Sequence, residues 1–428
     1  MENILRIIEK IIPKKIYRYV QPFYHYMMAW LGALIYRFPA HKLYVIGITG
    51  TKGKSSVAEM TNAILEEAGY KTVLTNTIRF KVDQESVPNK FKMSMPGRFF
   101  LQKKLRQAVK AGCTHAVIEI TSEGSKFYRN RFIPLDAFIF TNITPEHIES
   151  HGSFEKYLEA KLNIGRNIKT KKHQFNLKIN PDQKTIGVIN RDDDEVDKFL
   201  ENNYAQKVLY SISDAKPIDL SDGIQIRFKK NTIYSHLEGE FNAKNILAAA
   251  SLAYEMGIPE QSIRDGIENL KVIPGRVQKI KTNRDFEVVV DYAHTAESLE
   301  ALYKAFPNKK RICVLGNTGG GRDKWKRPVM AKVAEKYCSE IILTNEDPYD
   351  EDPIEIIEQM EKAITKKTPT VILNRRNAIR TAIEQAGPKS VVLITGKGTD
   401  PYIMEANGKK TPWSDFEVAT EEIKKLKN

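Results

Sequence analysis

Cysteine is scarce in this chain of 428 residues: only Cys113, Cys313 and Cys338 are present. They lie far apart with no C-x-x-C spacing, so no paired-cysteine motif is available. Their apolar strand- or helix-like settings lead to the expectation of three buried thiols in a reducing compartment. Long apolar runs are missing too. The nearest candidate, residues 19–36, is uncharged and rich in aromatics and Met, with Lys14, Lys15 and Arg18 before it and Arg37 after. It falls short of the roughly 20 apolar residues a spanning helix needs, and Gln21, His25 and Gly32 dilute it. No small-residue cleavage site follows the first apolar segment, so a signal peptide is not expected. No helix-turn-helix, zinc-finger or aromatic-interleaved RNA motif occurs, and neither does an internal repeat or a low-complexity tract. The net charge of +14 could suit nucleic acid, an anionic membrane face or polyanionic substrates such as nucleotides; nucleic acid is the weakest of the three readings and nucleotides fit better.

What is present centres on Gly47, Ile48, Thr49, Gly50, Thr51, Lys52, Gly53, Lys54, Ser55 and Ser56, directly after the apolar run Leu43, Tyr44, Val45, Ile46. Strand, glycine-rich turn and amphipathic helix in that order make a phosphate-binding loop. Backbone N–H groups there converge on one concavity and the helix N-terminus adds partial positive charge. Lys54 would neutralise the outer phosphates of ATP, and the Ser55 hydroxyl would ligate Mg2+. The match is to a variant, because the strict pattern places a glycine where this chain has Ile48. A plain glycine turn joining strand to helix is the competing reading, and the Lys-Ser pair directly after Gly53 argues against it.

The length allows two or three domains. Strands and helices alternate from residue 43 to about 270 in the manner of a mainly parallel sheet, with strands expected over 43–49, 72–74, 116–121, 137–141 and 185–189. Helices are expected over 3–12, 99–109, 154–164 and 242–256, and a short hairpin over 224–233. A second alternating series begins near Phe286, after Pro274 and Gly275, without a second phosphate loop. It suggests a Rossmann-like domain closing over the first. The fold expected is α/β: a helical N-terminal segment (1–42), a central ATP-binding domain (43–278) and a C-terminal Rossmann-like domain (279–428). Residues 19–36 read as a helix packed on the central domain, with an interfacial membrane helix as the alternative.

Two further stretches could carry chemistry. Glu119 interrupts an apolar strand and needs a cation or hydrogen bonds if buried; Mg2+ shared with Ser55 would meet that need, and a salt bridge is the alternative. The run Thr141, Asn142, Ile143, Thr144, Pro145, Glu146, His147 lies beyond a strand's C-terminal end, where open α/β sheets bind ligands. It continues through Glu149, His151 and Gly152 into a helix bearing Lys161, and places two of the chain's eight histidines in one turn.

Together these motifs resemble the Mur ligases, in the same order: the 47–56 loop, the run from Thr141 to Gly152, Glu159-Ala160-Lys161, and Phe241-Asn242-Ala243-Lys244-Asn245. Pro274-Gly275-Arg276, Asp291-Tyr292-Ala293-His294 and Gly396-Lys397-Gly398 extend the match. It is nearest the tripeptide-synthetase branch, through Gly320-Gly321-Arg322-Asp323-Lys324 followed by Lys326-Arg327-Pro328. The resemblance implies an ATP-dependent ligase that phosphorylates a carboxylate and lets an amine attack the acyl phosphate. It further implies two Mg2+ ions, one on Ser55 and Glu119 and a second helped by His147 and a carbamylated Lys161. Gly50, Thr51, Lys52, Gly53, Lys54, Ser55 and Ser56 would hold the phosphates. Asn242, Asn245, Arg276, Asp291 and His294 would surround the nucleotide. Ser94, Pro96, Thr121, Ser122, Arg322, Asp347, Gly396 and Asp400 would meet the acceptor and the incoming amino acid.

The departures are informative as well. Only 42 residues precede Leu43, where the branch usually carries a uridine-binding domain, so the acceptor need not be a soluble UDP-sugar. Ser94-Met95-Pro96 keeps one hydroxyl where the family shows two threonines. Glu346-Asp347-Pro348-Tyr349 stands where diaminopimelate-adding enzymes carry Asp-Asn-Pro-Arg, and a tyrosine cannot make the forked pair an arginine makes with a distal carboxylate. With Asp350, Glu351 and Asp352 next in line, local acidity suggests an amino acid with a basic side chain. The expectation is a monomeric, cytoplasmic cell-wall ligase, with peripheral membrane contact through residues 1–42 as a further possibility. Its rivals are a folylpolyglutamate-type glutamate ligase and a non-catalytic, membrane-apposed nucleotide-binding scaffold.

Overall fold

The computed structural model describes residues 14–168 and 184–426, with side chains from residue 20 onward. The helix expected over 3–12 lies outside the described residues. The chain divides into two compact units: Met1–Thr144, Glu155–Ser211 and Leu247–Gly266 in the first, Pro145–Phe154, Ile212–Ile246 and Ile267–Asn428 in the second.

The first unit carries, in chain order, α1 (Lys14–Ile35), β1 (Tyr44–Thr49), α2 (Lys54–Glu67), β2 (Thr72–Thr75), β3 (Arg79–Val82), β4 (Glu85–Pro88), α3 (Arg98–Lys110), β5 (His115–Glu119), β6 (Ala137–Phe140), α4 (Phe154–Gly165), β7 (Ile186–Asn190) and β8 (Gln206–Tyr210). The strands form one sheet in the order β4-β3-β2-β5-β1-β6-β7-β8. All neighbours run parallel except the pairs β2–β3 and β3–β4. Every residue of β1 is buried, as expected of a central parallel strand covered on both faces. Register sets Ile48 opposite Glu119 on β5, and Thr49 opposite Phe140 on β6. The loop after β1, the end of β5 and the exit of β6 therefore share one edge of the sheet. α1 lays its small residues Ala29, Gly32 and Ala33 against the start of α3, where a Cβ on Gly32 would meet the Arg98 backbone at 3.7 Å.

The second unit holds a three-stranded antiparallel sheet of β9 (Ile218–Asp219), β10 (Ile224–Phe228) and β11 (Asn231–Ser235). The expected hairpin is thus part of a larger sheet. The boundary between the units falls within α5 (Glu240–Glu255). There follow β12 (Gln278–Ile280), β13 (Phe286–Val290), α6 (Ala296–Lys304), β14 (Lys310–Leu315), α7 (Lys326–Tyr337), β15 (Glu340–Leu343), α8 (Pro353–Glu361), β16 (Thr370–Val371), α9 (Arg375–Glu384), β17 (Ser390–Ile394), the hairpin strands β18 (Tyr402–Met404) and β19 (Lys410–Pro412), and α10 (Asp415–Lys425). The main sheet has the order β12-β13-β17-β14-β15-β16, parallel except for β12. Leu299 of α6, Met330 of α7 and Ile357 of α8 pack on one face; Ile379 of α9 and Val418 of α10 pack on the other. This is a doubly wound layering with helices on both sides. A buried Arg375–Asp415 pair, with N–O distances of 2.8 and 2.7 Å, ties α9 to α10.

One expectation is overturned here. Cys313 of β14 and Cys338, which caps the C-terminus of α7, form a disulfide with a Cα–Cα distance of 6.0 Å, so three thiols become one. α7 returns its end beside the strand it follows, which spacing along the chain did not reveal. Cys113 is the remaining free thiol, buried, and its Sγ donates to the Thr72 carbonyl.

Candidate active site

The turn after β1 is laced to the exit of β6. A Cβ at Gly50 would lie 1.9 Å from the Thr141 hydroxyl, so only glycine lets the two segments approach. The Thr51 N–H donates to the Asn142 carbonyl at 2.8 Å, and the Lys52 N–H to the Asn142 side-chain oxygen at 2.9 Å. The Thr141 hydroxyl donates to the Lys52 carbonyl at 2.7 Å. Gly53 takes a left-handed φ of 82° and caps α2, whose first residues are Lys54, Ser55 and Ser56. Lys54 Nζ folds back onto the Gly50 and Thr51 carbonyls at 3.0 and 2.9 Å. Lys161, on α4, is buried and donates to the same Gly50 carbonyl at 2.7 Å, with its ammonium 4.7 Å from the Tyr157 ring centroid. The Tyr157 hydroxyl in turn meets that of Thr51 at 2.9 Å.

At the end of β5 four donors converge on the buried Glu119 carboxylate. Ser55 Oγ lies 2.8 Å and the Thr77 N–H 3.0 Å from Oε2; Thr77 Oγ1 lies 3.0 Å and Ser94 Oγ 2.9 Å from Oε1. The hydrogen bonds that a buried carboxylate requires are thus supplied by hydroxyls and one amide. Pro96 is half-buried two residues beyond Ser94. Thr121 caps the short helix Ser122–Lys126, accepting the Gly124 N–H at 3.0 Å, and Ser122 is buried beside it.

The other expected residues belong to the second unit. His147 has a left-handed φ of 57° and caps the turn Ile148–His151. Asn245 donates to the Asn242 side-chain oxygen at 3.0 Å, and Asn242 donates to the Glu238 carbonyl at 2.8 Å. Arg276 stacks its guanidinium 4.5 Å from the Tyr292 ring centroid. Asp291 is buried and accepts the Val277 and Ala293 N–H groups, both at 2.7 Å; burial pushes its carboxyl above the usual range against the pull of Arg276. The His294 Nδ1 sits 2.7 Å from the Tyr292 carbonyl, and its Nε2 3.4 Å from Glu146, which also pairs with Lys326 at 3.3 Å. The Asp400 carboxylate, and then burial, drive the Tyr292 hydroxyl well above its usual range.

The acidic stretch after β15 differs from what its composition suggests. Asp347 accepts from the buried Lys397 at 2.8 Å and from the Met404 N–H at 2.7 Å. Glu351 pairs with Arg327 at 3.0 Å and Lys324 at 3.1 Å and accepts the Gly321 N–H. Although burial opposes it, those bonds bring the Glu351 carboxyl down to about 2. Asp350 accepts the Asn407 N–H and Asp352 caps α8 through the Ile354 N–H. The acidity expected to select a basic side chain is largely consumed within the unit. Glu346 is the exception: Thr318 donates to Oε1 at 2.8 Å, while the buried Oε2 has no hydrogen-bond partner among the described residues. Gly396 makes room for that carboxylate, since a Cβ there would lie 2.2 Å from Oε2. Asp400 lies 3.6 Å from Lys397, and Arg322 is exposed in the glycine-rich segment after β14.

Sequence reasoning missed Thr77 and Tyr157. Neither belongs to a motif; each reaches its partner through the sheet's topology. Among the described residues no three His, Cys, Asp or Glu side chains cluster to hold a metal alone. The Ser55 hydroxyl and Glu119 carboxylate are nevertheless the hard oxygen donors that suit Mg2+ completed by phosphates and water.

The comparisons agree with this geometry. Residues 48–253 match the Mur ligase middle domain, and residues 275–398 match the Mur ligase, glutamate ligase domain. The chain is 32% identical over 410 residues to UDP-N-acetylmuramoyl-L-alanyl-D-glutamate--2,6-diaminopimelate ligase of Halalkalibacterium halodurans, covering 93% of this chain and 82% of that one. A solved structure of an enzyme with that same name aligns with a TM-score of 0.59 at 27% identity, over 89% of this chain and 78% of the other. Folylpolyglutamate synthase of Mycobacterium tuberculosis, solved with ADP and AMPPCP, shares the fold at a TM-score of 0.69 and 17% identity, over 87% of this chain and 93% of its own. With a glycine-lysine-serine loop set against a buried glutamate, and with relatives of this extent, the chain belongs to the Mur ligase family and is an ATP-dependent ligase of the acid–amino acid type.

Proposed function

We propose that this chain joins an amino acid to a muramoyl-peptide acceptor, by way of an acyl phosphate made with ATP, in peptidoglycan precursor synthesis. The observation that carries the reading is the first unit's strand edge: the phosphate loop, Ser55 on Glu119 at 2.8 Å, and Lys161 on the Gly50 carbonyl at 2.7 Å. The loop's N–H groups and Lys54 would hold the triphosphate and offset charge building on the transferred phosphoryl group. Mg2+ on Ser55 and Glu119 would supply further charge neutralisation. In the same reading a carbamylated Lys161 would serve a second ion. Residues 43–278 would form the ATP-binding domain, and residues 279–428 would take the amino acid. There Arg322 would bind the carboxylate of the incoming residue, and Asp347, Gly396, Asp400 and Glu346 would position its amino group or a basic side chain. The protein acts as a monomer, and residues 1–42 make a peripheral membrane contact.

The test is phosphate release from ATP with UDP-muramoyl dipeptide and a panel of amino acids, with and without bicarbonate. The expected result is release that needs both acceptor and amino acid and rises with bicarbonate. Activity with folate and glutamate instead would overturn the cell-wall reading, and release independent of any amino acid would overturn the ligase chemistry.

A further inference from the structure

Most surface helices turn their large apolar residues inward, and α1 does the opposite. Its buried side holds Ala29, Gly32 and Ala33, while Val20, Phe23, Met27, Trp30 and Leu34 point into solvent, Phe23 at 67% exposure. Their spacing of three and four residues puts all five on one stripe of the helix. An unbroken exposed apolar row of that size marks a surface that binds something.

Charge decides what. No Asp or Glu occurs between Glu9 and Glu59, or between Glu85 and Glu119, and those two intervals hold α1 and the helix packed against it, α3. α3 carries Arg98, Lys103, Lys104, Arg106 and Lys110 without one acid. The exposed Arg131 lies over the Tyr26 ring at 5.7 Å, which sets a cation beside the stripe. A second copy of this chain would bring two such basic surroundings together at a repulsive cost, whereas anionic lipid headgroups complement them. Tryptophan and tyrosine along the same helix favour the headgroup level of a bilayer. Among the described residues no helix is long and apolar enough to cross a membrane, as befits an element lying in the interface.

We infer that the outward stripe of α1, flanked by the basic helix α3, is a docking face for an anionic phospholipid surface. This rests on the membrane contact proposed above and assigns it a place. The experiment is co-sedimentation of the full chain with phosphatidylcholine vesicles, with and without phosphatidylglycerol, at low and high salt. Wild type is expected to bind the anionic vesicles, with a blue shift in Trp30 emission that is absent in Trp30→Phe. The double variant Phe23→Glu/Met27→Glu, which alters exposed positions only and should keep its thermal transition, is expected to lose roughly tenfold or more of that binding. Lys103→Gln/Lys104→Gln should lower binding to anionic vesicles alone. Equal binding by wild type and the Phe23/Met27 variant would overturn the docking face while leaving a membrane contact elsewhere, for which deletion of residues 1–13 supplies the comparison. No vesicle binding by wild type would overturn both, and a dimer dissolved by the same double variant would assign the stripe to a second copy.

Discussion

Each unit sets a buried glutamate at the end of a main-sheet strand or just beyond it, Glu119 closing β5 and Glu346 following β15 by three residues, and the two are treated in opposite ways. Glu119 receives four hydrogen bonds from neutral donors. Among the described residues Glu346 receives one, from Thr318, and its other oxygen is buried without a hydrogen-bond partner; burial raises its carboxyl above the ordinary range. The first is a finished carboxylate whose position is fixed before any ligand arrives. The second has hydrogen-bonding capacity left over, which costs stability until a donor fills it. The acids around Glu346 are tied to Lys397, Arg327 and backbone N–H groups, which leaves it the prominent unspent acceptor of that segment.

Four substitutions break or sharpen this contrast. Lys54→Ala removes the cation of the preorganised region and should lower turnover on the order of a thousandfold while circular dichroism stays native. Glu119→Gln offers an amide to donors already aimed at it; phosphate release should fall about a hundredfold, with roughly 1–3 kcal/mol lost in urea unfolding. Glu346→Gln should raise the KM for the amino acid about tenfold with the KM for ATP unchanged. It should also be more stable than wild type at neutral pH. A carboxyl whose folded pKa is raised contributes stability below its unfolded pKa and loses it as pH rises through the folded value, so the gap between variant and wild type should widen from pH 4.5 upward. Glu351→Gln touches a carboxylate spent on Arg327 and Lys324, and should cost about 1–2 kcal/mol with amino-acid preference unaltered. A change of preference there would mean that the paired acids take part in recognition after all.

The preorganised half was the more legible in the sequence. A continuous apolar strand, a glycine turn and Lys54-Ser55 are local signals, and a lone Glu119 in an apolar run announces a buried charge. Its partner Thr77 is an unremarkable loop residue, brought in because β2 lies next to β5, and Ser94 was expected at the acceptor with nothing local to pair it with Glu119. The acidic segment shows the same thing in reverse: its charges are local, but the cations paired with them come from α7, the residues just before it and the segment after β17. The short strands β3 and β4, Arg-Phe-Lys-Val and Glu-Ser-Val-Pro, carry too little apolar alternation to stand out, and the Cys313–Cys338 bond joins a strand to the far end of the next helix. Where a feature depends on two distant segments meeting, composition reports the ingredients and not the pairing.

The grip of Lys161 on the Gly50 carbonyl bears on how that lysine could be modified. A carbamate would keep a single N–H at Nζ for that oxygen and add a carboxylate beside it. Carbon dioxide uptake would therefore trade an ammonium's three donors for one and set negative charge next to the turn, so loop conformation and bicarbonate supply would become two readings of one equilibrium.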